Sequence, residues 1–441
     1  MDQLTLRLIA LVSRTGTGLA TAVSALFVTQ VSGLSLRSVG LTLTAATAIA
    51  VAASTWLGHL ADRLGAREVY AGMLGLQAIG VAGLVLVRDV PAYALVALAL
   101  AIGDLGQRSA QGAVIHAVVP AESRLRVRAQ VRVAANAGFA VGAGLGGIVL
   151  ATDAPAAYRV GLLVTAVLLL ATGALILRLP RVPAVEPGAS PWAVLRDGPF
   201  VGFMALNGVL NIHNTMLNVA VPLWIATQTS APTWMVSVLL VTNAVAVILF
   251  QIRLTRGSET LKGAGRASRR AGLLLCFACV AMAPTAHTST LAAVILLLVA
   301  AVLHVVGEIL ESAGGWGASY ALAPPGLVGQ YQGGHAMGRG TGDLIGPTLF
   351  TAVVIPLGSA GWLLAAVIFA LAGVLIPLVL RTASSAVVGG WAVELEGEEK
   401  GGDDSGGDDE DGGADSFGGR DAKVVAGEGV RVGIRDEDKR G

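Results

Sequence analysis

Ionisable side chains lie inside several long apolar runs of this chain, and they are the first candidates for chemistry. One run carries His304, Glu308 and Glu311 at spacings of four and three residues, which places them on one face of a helix. Two carboxylates one turn apart in a low dielectric hinder each other's ionisation, so we expect at least one to be protonated near neutral pH and able to carry protons. A static ion pair with Arg14 or Arg108 is the alternative. The spacing of His304 and Glu308 would also permit a metal ion, although we predict no metal site.

A second polar group lies in the apolar run around residue 104. Asp104 and Arg108 are four residues apart and share a helix face, so they either form an ion pair or take part in proton coupling. Gln111 follows one turn later, and Arg14 interrupts the first apolar run. An ionisable residue deep in such a run is costly, so we predict that each of them faces a cavity or a partner.

Four asparagines form a stripe along another apolar segment. They recur at intervals of four, three and four residues, on one face of a helix, at Asn207, Asn211, Asn214 and Asn218. Amides along much of the depth of a bilayer suit the wall of a wet pathway, and the alternative is hydrogen bonding between helices. Arg339 and Asp343 are also four residues apart and are predicted to pair with each other.

The composition indicates what must hold these residues in place. Of the 441 residues, 54% are hydrophobic and 13% are charged, and the mean hydropathy is +0.72. A soluble domain usually carries about 25% charged residues. Twelve segments approach the roughly 20 mostly apolar residues that cross a bilayer, at 6–31, 37–60, 68–88, 91–118, 127–151, 157–178, 199–225, 233–254, 270–287, 290–313, 328–355 and 358–381. Open sheet edges do not survive in lipid, so we predict an all-α membrane protein with twelve transmembrane helices.

Charge and proline orient and divide the chain. Lys and Arg number 14 in one set of short loops and 3 in the other, which predicts that both termini are cytoplasmic. The proline-rich stretch 179–198 is predicted as a stiff cytoplasmic linker between an N-terminal six-helix bundle, 1–178, and a C-terminal one, 199–381. The acidic, Gly-rich tail, 382–441, is predicted to be disordered and cytoplasmic.

The two halves show weak internal similarity. A shift of 204 residues superimposes small residues of one half on those of the other, pairing Gly138 with Gly342, Gly142 with Gly346 and Ala143 with Pro347. Glycines four residues apart let helices pack backbone against backbone. We therefore predict helix-packing roles for Gly138, Gly142, Gly146, Gly147, Gly346 and Pro347.

A short charged turn separates two of the apolar runs. Its residues Gly58, Asp62, Arg63, Gly65 and Arg67 match the pattern Gly-x-x-x-Asp-Arg-x-Gly-x-Arg/Lys. The turn resembles the loop between the second and third helices in transporters of the major facilitator superfamily, where it helps to latch two halves and controls their alternation. At the end of a helix, its carboxylate can accept hydrogen bonds from backbone N–H groups at the start of a neighbouring helix.

Two further motifs carry the resemblance. Arg108, Gln111 and Gly112 fit the family signature Arg-x-x-Gln-Gly, which is tied to proton coupling. The fifth apolar run ends similarly to the Gly-Pro-x-x-Gly-Gly signature of proton-coupled exporters, with Ala143 in the place of proline. The resemblance covers about residues 5–381 and implies two pseudo-symmetric six-helix bundles, whose first, fourth, seventh and tenth helices line a central cavity. Those helices hold Arg14, Gln111, the asparagine stripe and His304.

The function that the resemblance implies is transport, and we predict no enzymatic activity. We expect proton-coupled efflux of a small amphipathic molecule by alternating access, similar to the drug:proton antiporters. Glu308 or Glu311, or else Asp104, would carry the proton, and Arg108 would modulate that site.

Two alternatives stay open, transport of a polar metabolite or sugar and a non-transporting membrane sensor with the same fold. The expected location is the cell membrane. The expected partners are a small-molecule substrate, protons and the lipid bilayer, with no nucleic acid and no cofactor, and the chain is expected to be monomeric.

Overall fold

The computed structural model describes residues 2–152, 154–181, 190 and 192–401, and every contact reported below lies within the compact unit Met1–Gly389. In the described part of the chain there are twelve long helices and no strand. They are α1 (Asp2–Leu26), α2 (Leu36–Leu64), α3 (Ala66–Leu84), α4 (Val90–Val118), α5 (Arg124–Ala151), α6 (Pro155–Ile176), α7 (Gly198–Gln228), α8 (Met235–Leu254), α9 (Leu261–Met282), α10 (Thr290–Ala321), α11 (Val328–Leu349) and α12 (Ser359–Gly401). This confirms the predicted all-α class with twelve helices.

Short irregular segments extend or interrupt these helices. π-turns continue α1 over Phe27–Val31 and α11 over Phe350–Val354, and a 3-10 turn at Ala283–His287 follows α9. Two more 3-10 turns, Ala121–Ser123 and Ala193–Arg196, precede α5 and α7. Helix α7 is composite, because a π-turn at Met216–Ala220 separates its first part from its last.

Polar residues at the helix starts explain several boundaries. The side chains of Asp89 and Asp197 accept hydrogen bonds from the first-turn N–H groups of α4 and α7, which satisfies donors that have no partner within the helix. Both helices also carry proline in the first turn, where a missing N–H costs nothing. Between α2 and α3, Gly65 has φ 96°, a conformation that favours glycine and lets the chain reverse direction.

Ten of the twelve described helices are apolar and long enough by composition to cross a membrane, and α3 and α11 are the other two. Helix α11 is rich in glycine and carries Gln332, His335 and Arg339. It packs against α2, α4 and α7, and these polar side chains line a cavity inside the bundle. Its low hydropathy is therefore explained by its position between other helices.

The apolar side chains form two large clusters that follow the order of the chain. One draws on residues between Leu6 and Leu179, with Trp316 and Tyr320 added from α10. The other draws on residues between Val194 and Leu380. The predicted linker lies between them, but its residues 182–189 and 191 are outside the described residues.

Helix α12 continues to Gly401, beyond the end predicted at residue 381. The rest of the predicted tail, 402–441, also lies outside the described residues. The tail boundary and the two-bundle division therefore remain predictions.

Contacts between the two halves involve α2, α4 and α5 on one side and α8, α10 and α11 on the other. We call the side of the bundle at which α2 ends and α3 begins the Asp62 face. Near this face α2 and α11 touch through their backbones. A Cβ atom at Gly58 would collide with the carbonyl oxygen of Gly329, and one at Gly333 would collide with that of Ser54. Glycine is required at these positions because of close approach.

The predicted packing glycines lie at other helix contacts. Gly138 and Gly142 of α5 face the backbone of α1 at Leu11 and Thr15, and Gly146 faces Ala22. Gly346 of α11 lies against Thr215 of α7. Gly147 has open space where its Cβ would be, so helix packing does not require glycine there.

Substituting Gly58 tests the contact between α2 and α11. Gly58→Ala should disfavour the packed arrangement by about 1–3 kcal/mol, since an added methyl group must push two backbones apart. The measurement is the distance between spin labels at the exposed positions Leu64 and Pro325, with Cys276 and Cys279 replaced by serine. We expect the distance distribution to shift towards longer values.

Gly72→Ala in α3 is the matched control, because nothing lies within 4 Å of a Cβ at that position. It should leave the distribution unchanged. Equal distributions for Gly58→Ala and the unsubstituted protein would contradict the proposed role of close backbone contact.

Candidate functional site

A cavity of about 510 Å³ lies between the two halves. In α1 it is lined by Ala10, Ser13 and Arg14, which are 8–12 residues from the start of that helix. At 1.5 Å per residue this is about 12–18 Å along the helix axis. The cavity is therefore near the middle depth of the helical bundle.

Arginine dominates the charged lining of this cavity. Among the described residues, its charged lining consists of one carboxylate, Asp343, and five guanidinium groups, those of Arg14, Arg108, Arg128, Arg132 and Arg339. Gln107, Gln111, Asn136, Asn214 and Asn218 add amides. The lining thus combines positive charge with hydrogen-bonding groups.

The cavity uses more helices than predicted. Helices α1, α4, α7 and α10 contribute as expected, but α5 supplies Arg128 and Arg132, and α11 supplies His335 and Arg339. The predicted cavity residue His304 is absent from the lining because it is buried, as are Glu308 and Glu311. These groups lie behind the wall and not on its surface.

Glu308 connects three helices from both halves. Its Oε1 accepts a hydrogen bond of 2.5 Å from Nη2 of Arg132 in α5. Its Oε2 accepts one of 2.7 Å from Nδ2 of Asn243 in α8. Arg132 also donates to Ser312, one turn after Glu308. This buried ion pair therefore joins the N-terminal half to the C-terminal half.

Glu311 has its own arginine within the C-terminal half. Its side chain is fully buried, and its Oε1 accepts hydrogen bonds from Arg339 Nη1 at 3.0 Å and Asn207 Nδ2 at 3.1 Å. Nε2 of His213 lies 3.7 Å from Oε2. Each glutamate thus has a separate cation, which removes the reason for expecting one of them to hold a proton.

The predicted pair of Arg339 with Asp343 was wrong, and so was the alternative in which Arg14 or Arg108 pairs with a carboxylate of α10. Neither Arg14 nor Arg108 pairs with the α10 carboxylates, whose partners are Arg132 and Arg339. Arg339 binds Glu311 and not Asp343, while Asp343 accepts a 2.8 Å hydrogen bond from Asn211. The physical reason is burial, because the fully enclosed Glu311 needs a cation more than the cavity-exposed Asp343 does.

In α4, Asp104 and Arg108 form an ion pair, which is one of the two arrangements that their spacing allowed. Nε and Nη2 of Arg108 lie 2.9 and 2.8 Å from Oδ2 of Asp104. Gln107 donates to the other carboxylate oxygen at 3.2 Å. Gln111 donates to the hydroxyl of Tyr70 at 2.9 Å, and both side chains line the cavity.

Two cavity arginines have no carboxylate partner among the described residues. Arg14 and Arg128 appear in none of the ion pairs. Nη1 of Arg128 is buried without a hydrogen-bond partner. The guanidinium groups of Arg128 and Arg132 lie 5.3 and 5.7 Å from the ring centroid of Trp316. A positively charged surface backed by an aromatic ring results.

The asparagine stripe is divided where the first regular part of α7 ends, at Asn211. Asn207 and Asn211 are buried and bind Glu311 and Asp343, so they form hydrogen bonds between helices. Asn214 and Asn218 line the cavity. Hydrogen bonding between helices therefore describes Asn207 and Asn211, and the wall of a cavity describes Asn214 and Asn218.

The turn after α2 meets the start of α11. Oδ1 of Asp62 accepts the N–H of Gly329 at 2.6 Å, and Oδ2 accepts the N–H of Gln330 at 2.9 Å. A carboxylate at a helix N-terminus satisfies unpaired donors and favours the positive end of the helix dipole. Arg67 donates to the carbonyl oxygens of Leu177 and Leu179, at 3.1 and 2.8 Å. Arg63 is exposed.

Three important residues were not predicted as part of the site. Arg128 and Arg132 are four residues apart at the entry of α5, and that spacing in a membrane helix is the signal that could have identified them. His213 lies off the asparagine stripe, yet it is fully buried and its ring centroid is 5.1 Å from that of His304. Its role depends on a tertiary contact that spacing does not reveal.

Removing the charge of Asp62 tests the link to α11. Asp62→Asn should lower the transport rate while leaving membrane insertion intact. The amide retains one acceptor and loses the charge-assisted hydrogen bonds, worth about 1.5–3 kcal/mol each. Transport is measured in vesicles, and insertion by recovery in the membrane fraction. Glu122→Gln, an exposed acid outside this contact, is the control. Unchanged transport in Asp62→Asn would contradict a role of this turn in transport and leave only its contribution to membrane orientation.

A double-mutant cycle tests the ion pair between the halves. Glu308→Gln or Arg132→Gln alone should destabilise the purified protein by about 3–5 kcal/mol, because each leaves a buried charge unpaired. The double variant should lose less than the sum of the two losses. The comparison cycle is Arg181 with Glu68, whose atoms are 3.9 Å apart with the arginine 86% exposed. Its coupling should be about 0–1 kcal/mol. Additive losses for Arg132 and Glu308 would contradict the pairing.

Comparison with known proteins places this architecture in a family. Residues 6–347 match the family model described as Major Facilitator Superfamily. Among curated protein sequences, none matches the chain significantly. A solved structure of a bacterial homologue of the iron transporter ferroportin in outward-facing state has a TM-score of 0.69 and 17% identity, covering 87% of this chain and 100% of that one.

Two other solved structures are similar in fold. The human organic anion transporter MFSD10 (TETRAN) has a TM-score of 0.57 and 18% identity, covering 85% of this chain and 98% of that one. The nucleoside transporter NupG has a TM-score of 0.52 and 19% identity, covering 86% and 99%. The family model matches most of the chain, and twelve helices enclose a polar cavity; this protein is a multi-pass membrane protein that belongs to the major facilitator superfamily of transporters.

Proposed function

We propose that this protein is a proton-coupled secondary transporter of a small amphipathic organic anion. The observation that carries the proposal is the charge of the cavity, whose described lining has five guanidinium groups and one carboxylate. The motif resemblance led us to expect an amphipathic cargo of unspecified charge. The arginines add the sign of that charge.

The charge balance around the cavity favours an anion. Arg108, Arg132 and Arg339 are each paired with an acid, whereas Arg14 and Arg128 have no carboxylate partner among the described residues. A positive group in a membrane interior is costly without a counter-charge. A carboxylate or phosphate on the cargo would supply it and could bind a guanidinium group through two parallel hydrogen bonds. A cationic cargo would be repelled by the same groups.

The remaining lining suits a cargo with an apolar part. Trp316 and Phe139 offer aromatic surfaces, and Asn136, Asn214 and Asn218 offer hydrogen bonds to hydroxyl or carbonyl groups. The volume, about 510 Å³, lies within the range of about 300–1,000 Å³ that small-molecule sites occupy. The fold shared with the organic anion transporter MFSD10 supports such a cargo.

The contacts at the Asp62 face support a mechanism of alternating access. The bonds from Asp62 to the start of α11 and the glycine contacts between α2 and α11 hold the halves together on that side. We propose that these contacts break when the cavity opens there. The Lys and Arg bias supports the assignment of the Asp62 face to the cytoplasm of a cell membrane. One chain carries both halves, so we propose that a monomer suffices.

The pair of Arg132 and Glu308 suggests how protons are coupled. Arg132 lines the cavity, whereas Glu308 lies behind it. An anion that binds Arg132 would weaken the ion pair between Arg132 and Glu308. The buried negative charge of Glu308 would then lack a partner, and a proton on Glu308 would neutralise it. Anion and proton would therefore bind in the same state, which is cotransport.

Proton-coupled efflux by exchange, which the motif resemblance implies, is the second candidate. In exchange, the protein binds either a proton or the substrate but not both. The two are therefore carried across the membrane in opposite directions. The signature similar to that of exporters, at Gly142–Gly147, supports this mode. The direction of proton movement distinguishes the two.

Transport assays in proteoliposomes test both the cargo and the coupling. With a pH-sensitive dye inside, an inward gradient of an amphipathic carboxylate should acidify the lumen under cotransport and alkalinise it under exchange. Glu308→Gln should abolish proton movement in either case. Substrate flux that ignores the proton gradient would contradict the coupling.

The unpaired arginines provide the test of charge selectivity. Arg14→Gln or Arg128→Gln should raise the KM for the anion by about 10–150-fold, which corresponds to the loss of one charge-assisted hydrogen bond of about 1.5–3 kcal/mol. Arg159→Gln, an exposed arginine outside the cavity, is the matched control. Transport of organic cations that is unaffected by these substitutions would contradict the anion assignment.

A further inference from the structure

Behind the cavity wall, α7 and α10 bring Glu308 together with two histidines, His213 and His304, that the proposed transport of anions does not explain. His213, His304 and Glu308 are all buried, and each offers a ligand atom within 4.8 Å of the other two. Neither histidine lines the cavity. The group is therefore an enclosed cluster of two imidazoles and one carboxylate.

The hydrogen bond of His304 fixes which of its nitrogens is free. Its Nε2 lies 3.1 Å from the carbonyl oxygen of His213, and a carbonyl oxygen can only accept. In the neutral ring the proton is thus on Nε2, and Nδ1 presents a lone pair. Within the described part of the chain this Nδ1 has no hydrogen-bond partner, and it lies 4.0 Å from Oε2 of Glu308. A lone pair facing a carboxylate is unfavourable unless a cation lies between them.

His213 is a second histidine with unsatisfied ring nitrogens. Its ring is fully buried, and neither ring nitrogen has a hydrogen-bond partner among the described residues. A buried polar group without a partner costs about 1–3 kcal/mol. The ring stands edge-on to His304, at 5.1 Å between centroids. One ligand atom of each of His213, His304 and Glu308 thus lies within 4.8 Å of the other two, and three of the four ring nitrogens of these histidines have no hydrogen-bond partner among the described residues.

We propose that this cluster binds a divalent first-row metal ion such as Zn²⁺ or Co²⁺, with His213, His304 and Glu308 as its three protein ligands. Imidazole nitrogen and carboxylate oxygen are common ligands of these ions, and three protein ligands leave one position open. The surrounding bonds match the outer shell of such sites. The carbonyl of His213 holds the ring of His304, and Asn243 holds the carboxylate of Glu308.

Arg132 sets the charge balance of this site. It binds Oε1 of Glu308, while Oε2 is the oxygen that faces His304. The cluster and its neighbours contain two carboxylates and two guanidinium groups, so a divalent ion adds positive charge. Arg132 borders the cavity and can move its charge there. A metal ion at Oε2 and Arg132 at Oε1 would therefore repel each other across the carboxylate of Glu308.

Direct metal binding tests the site independently of transport. The full-length protein is purified with an affinity tag that lacks histidine and titrated with Co²⁺ alone, and the visible absorption of the bound ion is recorded. One equivalent should bind and be displaced by Zn²⁺. His213→Ala and His304→Ala should each weaken binding by tenfold or more. Because transport is not the readout, failure of the anion proposal would not affect this result.

Matched variants separate coordination from general damage to the fold. His287→Ala removes an exposed histidine, and Cys276→Ser with Cys279→Ser removes the thiols; all should leave Co²⁺ binding unchanged. Arg132→Gln should tighten binding by about tenfold or more, since it removes a nearby positive charge. A merely disrupted fold would weaken it.

Two results would overturn the proposal. One is equal Co²⁺ binding by the unsubstituted protein and the double variant His213→Ala, His304→Ala. The other is the absence of Co²⁺ and Zn²⁺ binding by the unsubstituted, folded protein.

Discussion

The ion pair between Arg132 and Glu308 is the interaction on which the centre of this molecule depends. A charge inside a membrane protein is costly without a counter-charge, and the counter-charge of Glu308 belongs to the opposite half of the chain. Separation of the halves at this depth must therefore be accompanied by something that replaces one partner. This electrostatic requirement makes the centre of the bundle sensitive to small ions and charged solutes, whereas apolar packing alone would not be.

Near the Asp62 face the halves are held together by a different kind of contact. Asp62 binds two backbone N–H groups of α11, and glycines let α2 and α11 touch directly. Backbone contacts of this kind depend on position and carry little apolar surface. They can form and break without exposing a large hydrophobic area.

Much of the fold could be predicted from the sequence, because the length and hydropathy of a membrane helix are local properties. The role of Asp62 was also accessible, since a carboxylate at a helix end close to another helix start has few possible partners. The ion-pair partners of Glu308 and Glu311 could not be predicted. Their arginines are distant in the sequence, and a spacing of four residues wrongly favoured Asp343 as the partner of Arg339. Periodicity likewise assumes a regular helix, and α7 is interrupted at Met216–Ala220.

The interruption of α7 also separates two kinds of side chain. Asn207 and Asn211, in the first regular part of the helix, hold the carboxylates of the buried network, whereas Asn214 and Asn218, in the irregular stretch that follows, face the cavity. Asn214 also donates to Asn211, but Asn218 does not bond to the buried network, so a substitution at Asn218 changes the surface that a solute meets and leaves that network intact. The same helix can therefore accommodate a new cargo through changes at one end while the charge-compensating machinery at the other end is inherited without alteration.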